Sequence, residues 1–261
     1  MSSLLIRGGG GRVAVTPETA SWRFVSFNAL RLDAGARFVL ETDGSEACLV
    51  VIRGRCAVRC GNDVWPEVGE RDSPFDGPPH AAYAPPDSVV DIVALAGGVE
   101  LAIGSAPAKN GELARHIRPS DMRREIRGSG DTERTIHHIL MEDAAAETLL
   151  VTEVVTPAGH WSSYPPHKHD TEDPPTETQL EEIYYHRLRD PRGFALQRVY
   201  TADRSLDESV AVTDGDLVLV PRGYHTVSAA AGYDLYYLNV MAGPERRWCV
   251  TFDPDHEWLR R

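Results

Sequence analysis

Short runs of alternating apolar and polar residues, cut by glycine and proline, recur along the whole chain. SWRFVSFNALRL (21–32), ACLVVIRGRCAVRCGN (47–62), HAAYAP (80–85) and VVDIVALAGG (89–98) occupy the first half. LLVTEVVTP (149–157), EEIYYHRL (181–188), FALQRVYT (194–201), DLVLVPRG (216–223) and YDLYYLNVMAG (233–243) occupy the second. Successive side chains on a strand point to opposite faces, so these runs read as strands. The stretch 47–62 reads as two strands around Gly54, ending in a Gly-Asn turn. Helical periodicity is confined to short stretches near 109–116 and 120–126. Many short strands with Gly/Pro turns specify an all-β sandwich or barrel.

The two halves resemble each other. AAYAPPDSVVDIVALAGG in the first matches LVLVPRGYHTV and LYYLNVMAGP in the second: a strand, a proline turn, then a strand ending in Ala-Gly. A chain of 261 residues accommodates one large domain or two smaller ones. Tandem duplication of one barrel accounts for the similarity, with domains expected at 1–125 and 126–261. The polar stretch from about 105 to 133, running into RGSGDTER (127–134), is the expected junction.

Charge narrows the function classes. The net charge is −12, with 39 acidic against 27 basic residues. The densest basic stretch, DMRREIR (121–127), also carries Asp121 and Glu125. This argues against a nucleic-acid partner. A local pocket can still be positive and take an anionic small molecule. No apolar run reaches the ~18 residues that span a bilayer, and MSSLLIRGGGGRVAV lacks the pattern of a secretory signal. A cytoplasmic protein without a membrane partner is expected. Cys48, Cys56, Cys60 and Cys249 form no CxxC pair and are expected to be free thiols in structural roles.

The second half carries a set of metal-ligating residue types. In PPHKHD (165–170), His167 and His169 are two apart and share a strand face. LEEIYYHR (180–187) offers a carboxylate at the start of a strand. Alternation groups Glu182 with Tyr184 and His186, and Glu181 with Ile183, Tyr185 and Arg187. The first set is the more polar, which favours Glu182 as the inward carboxylate. In GDLVLVPRGYH (215–225) an apolar strand and a Pro-x-Gly bend deliver His225. Three imidazoles and a carboxylate suit a divalent ion such as zinc, manganese, iron or nickel. With coordination positions left open, such a site is catalytic.

The pattern of HKH, a glutamate at a strand start, and G-x5-P-x-G-x-H resembles the two sequence motifs of the cupin superfamily. It departs in two places: twelve residues, DTEDPPTETQLE included, separate His169 from Glu182, and one residue separates Gly223 from His225. WSSYPPHKHD, LEEIYYHR, GFALQRVYT, VLVPRGYH and YDLYYLNVMAGP, with SPFDGPPHAAYAPP (73–86) in the first half, resemble the 5-deoxy-glucuronate isomerase family of myo-inositol catabolism. The related 4-deoxy-5-ketouronate isomerases share the fold. The resemblance implies a bicupin, two tandem jelly-roll barrels with few short helices. It implies a zinc-type site at His167, His169, Glu182 and His225, no organic cofactor, and conversion of 5-deoxy-D-glucuronate to 5-dehydro-2-deoxy-D-gluconate. The first half lacks an HxH, and its His80 stands alone in GPPHAAY. That barrel is expected to keep the fold without a metal.

An aldose–ketose exchange needs a group that moves a proton between adjacent carbons. His186, Tyr184 and Glu181 are the candidates, with Lys168 pointing away by alternation. The substrate's carboxylate calls for a fixed cation, for which Arg198 and Arg222 are the expected residues; Gln197 and Tyr236 are candidates for hydroxyl contacts. His137 and His138 are adjacent and so face opposite ways. His160 and His256 have no assigned role. Two other readings use the same residues: another metal-dependent cupin enzyme such as a dioxygenase, or a non-catalytic cupin binding a carbohydrate. Free sheet edges make a homo-oligomer an expectation.

Overall fold

The computed structural model describes residues 4–8 and 12–260. Strands dominate. The described residues contain one four-residue α-helix, Pro17–Ala20, and three short 3-10 turns at Pro119–Asp121, Gly130–Thr132 and Pro254–Leu259. Among the described residues, no helix is long and apolar enough to cross a membrane. The stretches 109–116 and 120–126 are not helices. Arg115–Ile117 and Arg123–Arg127 are strands flanking the turn at Pro119, because a few spaced apolar residues support a strand as readily as a helical turn.

The chain divides into two compact units. One comprises Gly10–Arg123 and His137–Val151; the other comprises Met1–Gly9, Arg124–Ile136 and Thr152–Arg261. The chain passes between the units at residues 123–124, 136–137 and 151–152, so each unit is built from more than one segment. Leu5 and Ile6 pair with Val218 and Leu217 and so travel with the C-terminal unit. Within the other unit, the buried Glu46 carboxylate accepts the backbone N–H groups of Glu147, Thr148 and Leu149 at 2.9, 2.6 and 2.6 Å, which ties 147–149 to it.

Each unit contains the same four-strand arrangement. In the N-terminal unit the sheet order is Ser26–Leu32, Val89–Pro107, Ser45–Cys60, Ala81–Ala84. In the C-terminal unit it is Leu150–Thr156, Leu235–Ala242, Glu181–Leu188, Leu217–Val220. Numbered along the chain, both read first, fourth, second, third, with the fourth strand returning beside the first. The fourth strand thus lies between the first and the second in both units, the order of one sheet of a jelly roll. The fold is all-β with two cupin-type jelly rolls.

Apolar residues close each unit from within. Leu49, Val51, Val58, Ile92, Leu101 and Ile103 form the centre of the N-terminal core. Tyr184, Val199, Val218, Val227 and Leu235 lie in the C-terminal one. Cys48, Cys56 and Cys60 are buried, Cys249 is half-buried, and all four are free thiols. Residues 45–60 form one strand, not two. Gly54 has φ +82°, and pairing with Val89–Pro107 shifts register on either side of it. A bulge bends the strand without ending it. A Cβ at Gly54 would lie 2.2 Å from the Gly98 carbonyl oxygen, so the close approach requires glycine.

Candidate metal centre and cavity

Three strands of the C-terminal unit converge on one point. Trp161–Lys168 and Tyr224–Ala229 are antiparallel neighbours, with His167 directly opposite His225. Glu182 is the second residue of the strand Glu181–Leu188 in the other sheet. Gly223, at φ +91°, makes the reversal that brings His225 inward. A Cβ there would meet the Tyr200 carbonyl oxygen at 2.6 Å. The Gly223 N–H is held by Asp170 Oδ2 at 2.8 Å.

The long gap between His169 and Glu182 closes as a compact loop. Leu180 donates its N–H to the His169 carbonyl at 2.9 Å, and the His169 Nδ1–H reaches the Leu180 carbonyl at 3.0 Å. The Glu177 carboxylate accepts the N–H groups of Asp170 and Thr171, each at 2.8 Å. Lys168 serves this loop: its Nζ lies 2.6 Å from Asp170 and 2.8 Å from Glu177, away from the imidazoles. The insertion thus returns the chain to the point from which a shorter loop would have delivered the carboxylate.

His167, His169 and His225 are buried, and each offers a ring nitrogen within 4.8 Å of the others. Glu182 Oε2 lies 2.9 Å from His169 Nε2 and 3.1 Å from His225 Nε2. His225 Nε2 is fully buried, yet its alignment with that oxygen is not a hydrogen bond, and it has no other partner. A buried nitrogen left without a partner is costly. Here it points into a cluster of ligand atoms. Burial, with the neighbouring His225 and His169, holds the His167 imidazole well below its ordinary pKa and so neutral. Burial alone would raise Glu182, but the hydrogen bond from His169 and the close approach of His225 outweigh it and bring the carboxyl down to about 2. A neutral His167 imidazole and an ionised Glu182 carboxylate are in the forms that ligate. The donor set fits a divalent transition metal.

A cavity of about 400 Å³ opens beside His167. Trp248 and Phe252 lie 5.9 and 6.0 Å from the His167 ring, centre to centre, and form part of its wall. Arg127, Arg134, Tyr164 and Arg260 complete much of the lining. The volume is in the range that holds a small ligand.

Of the other expected site residues, some gather here and some do not. Strand pairing sets Glu182, Tyr184 and His186 opposite Met241, Asn239 and Tyr237, so these share the inner face. Tyr184 stacks on His186 at 6.0 Å and meets the His225 ring at 5.8 Å. Its hydroxyl bonds to Ser163 Oγ at 2.9 Å. Burial raises Tyr184 far above the usual phenol range and keeps it protonated. His186 Nε2 donates to Gln197 Oε1 at 2.8 Å. Burial pushes this imidazole down to about 4. His186 and Gln197 therefore form a buried polar pair set back behind Tyr184. Glu181 falls on the opposite face, as alternation requires.

Tyr236 also lies on the opposite face, opposite Arg187, with its hydroxyl donating to Glu153 Oε2 at 2.9 Å. Tyr237 takes the inner position, its hydroxyl bonded to Ser162 Oγ and its ring 5.0 Å from that of Tyr184. Alternation puts one of the pair inward, and here it is the second. Arg198 is 41% exposed and forks onto Asp207 at 2.9 Å. Arg222 is exposed. Neither lines the cavity. Arg127 ends the strand Arg123–Arg127 and Arg134 opens the strand Arg134–Leu140, and folding brings both, with Trp248, to His167. His80 is not alone: its Nδ1 lies 2.8 Å from His116 Nε2. His160 Nδ1 bonds to the Glu133 carbonyl at 2.9 Å.

A model of the KduI/IolB family matches residues 4–259. The chain belongs to that family. It is 49% identical over 251 residues to the 5-deoxy-glucuronate isomerase of Geobacillus thermodenitrificans, covering 96% of this chain and 91% of the relative. The 5-deoxy-glucuronate isomerase of Bacillus subtilis strain 168 is 40% identical, covering 94% and 91%. Among solved structures, an IolB-like protein of Salmonella typhimurium LT2 superposes with a TM-score of 0.97 at 44% identity, covering all of both chains. Oxalate decarboxylase of Bacillus subtilis gives 0.69 at 14% identity, covering 97% of this chain and 80% of the other, a likeness of fold.

Proposed function

We propose that this chain is a metal-dependent 5-deoxy-glucuronate isomerase, moving the carbonyl of 5-deoxy-D-glucuronate to the neighbouring carbon to give 5-dehydro-2-deoxy-D-gluconate. The observation that carries the reading is the buried His167–His169–Glu182–His225 cluster beside a cavity lined by arginines. Relatives of nearly full length are named for that reaction.

One hydrogen leaves the hydroxyl-bearing carbon, one reaches the aldehyde carbon, and the two oxygens exchange roles. Substrate and product are isomers, so no redox cofactor is consumed. Bound by the three histidines and Glu182, a divalent ion would stabilise negative charge developing on the two oxygens. Trp248 and Phe252 supply apolar wall that keeps water from the reacting carbons. Tyr184 and Tyr237, held protonated by burial and bonded to Ser163 and Ser162, supply neutral hydroxyls on the face that carries Glu182. His186, neutral and bonded to Gln197, fixes the Tyr184 ring from behind.

The test is elemental analysis of the purified protein, with turnover of 5-deoxy-D-glucuronate followed by NMR before and after chelation. About one transition metal per chain and chelator-sensitive turnover are expected. Undiminished turnover by metal-free protein refutes the metal-centred reading.

A further inference from the structure

The cavity beside His167 contains three guanidinium groups, and two of them are already matched. Arg127 forks onto Glu125, with Nε at 2.7 Å and Nη2 at 3.0 Å, and lies over the Trp248 ring. Arg260 reaches Glu257 at 3.3 Å from a half-exposed position. Arg134 differs from both. It is 7% exposed, and its hydrogen bond is from Nη1 to the Thr132 carbonyl at 2.9 Å. No carboxylate pairs with it among the described residues. A buried cation without a counter-ion is expensive, and one bonded only to a carbonyl retains unused donors in a fixed fork.

We propose that Arg134 is the carboxylate anchor of the cavity, binding the acid end of an open-chain sugar acid whose other end lies at the histidine–glutamate cluster. The proposal rests on the isomerase reading for the identity of the sugar, but not for the anion. The chemistry of the ligand follows from the site. A guanidinium presents parallel N–H donors that match the two oxygens of a carboxylate. Arg127 is neutralised by Glu125, so the unmatched charge on the wall is that of Arg134. Thr132 fixes the side chain through its carbonyl, and burial of the guanidinium beside the apolar wall of Trp248 and Phe252 strengthens a charged hydrogen bond. An acid end held here leaves the aldehyde and its neighbouring hydroxyl free to reach the ligands. This also explains why an overall acidic chain can select an acidic substrate: the positive charge is local and buried.

The experiment compares D-glucuronate with D-glucose as ligands of the metal-loaded protein by calorimetry, in wild type, Arg134→Gln and Arg134→Lys. Wild type should favour the acid by roughly 10- to 100-fold, the range for a charged hydrogen-bonded pair. Arg134→Gln should lose that preference while keeping its metal content, and Arg134→Lys should retain part of it. With 5-deoxy-D-glucuronate, the Gln variant should show a raised KM and a kcat changed far less. Equal affinity of wild type for acid and neutral sugar overturns the proposal, whatever the variants do. So does an Arg134→Gln protein, metal-loaded and folded, that discriminates like wild type. If wild type selects the acid through Arg134 yet does not isomerise 5-deoxy-D-glucuronate, the anchor stands and the isomerase reading fails.

Discussion

His186 gives a prediction whose size follows from its surroundings. The imidazole is fully buried, bonded at Nε2 to Gln197 and without a partner at Nδ1. Burial lowers its pKa from 6.5 to about 4. A histidine depressed in the folded state stays neutral there while the unfolded chain takes up a proton. Its stabilising contribution is therefore present above the unfolded pKa and is lost as pH falls from 6.5 towards 4, after which the loss levels off. Each unit of pH in that window costs about 1.4 kcal/mol. Between pH 7 and pH 5 the loss is then about 2 kcal/mol from this one side chain.

Other buried histidines add to the wild-type slope, so the measurement is a difference. Urea unfolding, followed by tryptophan fluorescence in the presence of chelator, is run at both pH values for wild type and His186→Gln. The variant removes the titrating group and keeps a polar side chain opposite Gln197. Wild type should lose about 2 kcal/mol more than the variant on going to pH 5. Equal losses would show that His186 is not held neutral by burial, and its assignment as a silent support for Tyr184 would fall with it.

Two further outcomes concern the frame of the N-terminal unit. Glu46→Ala removes the acceptor of three backbone N–H groups and of the Tyr83 hydroxyl at 2.6 Å. It should destabilise the protein by about 3–5 kcal/mol in urea titration; a loss under ~1 kcal/mol would mean that water replaces the carboxylate there. Gly54→Ala forces a Cβ against the Gly98 carbonyl at a positive φ and should cost at least about 2 kcal/mol; a melting temperature equal to wild type would refute the close-approach argument.

What could be read from the sequence was what depends on neighbours along the chain. Glu181–Leu188 emerges with the expected bounds because period-two patterning and flanking turns define it locally. Glu182 was preferred over Glu181 on alternation alone, and the pairing of Glu182 with Met241 places it on the inner face. Gly54 reads in the sequence as a break between two strands, since a glycine marks either a break or a bulge and the partner strand decides. Tyr236 and Tyr237 cannot be separated by composition; register with His186 selects Tyr237. Arg134 lies in a stretch that resembles a linker, and nothing nearby in sequence indicates that it returns to His167.

The shared strand order shows what stands in the N-terminal unit where the C-terminal unit holds its site. Glu182 is opposite Val220, the last residue of the third strand; the corresponding pair is Ala47 with Ala84. Strands Arg37–Glu41 and Val89–Pro107 pair as Trp161–Lys168 and Tyr224–Ala229 do, and Leu40 faces Val90 where His167 faces His225. Ala47 and Val90 are in the apolar core, with Leu40 packed against it. None of the three side chains can ligate an ion. The same connection thus supports two interiors, one filled with hydrocarbon and one with ionisable groups. Packed hydrocarbon stabilises by burial alone. Four converging polar groups do not, since each must be desolvated, and His225 Nε2 is left without a hydrogen bond. Keeping such groups in a buried place that leucine, alanine and valine fill in the sister unit makes sense only if a ligand completes them. Metal should therefore raise the melting temperature of wild type and leave that of His225→Ala unchanged, because stabilisation by a ligand requires the site that binds it.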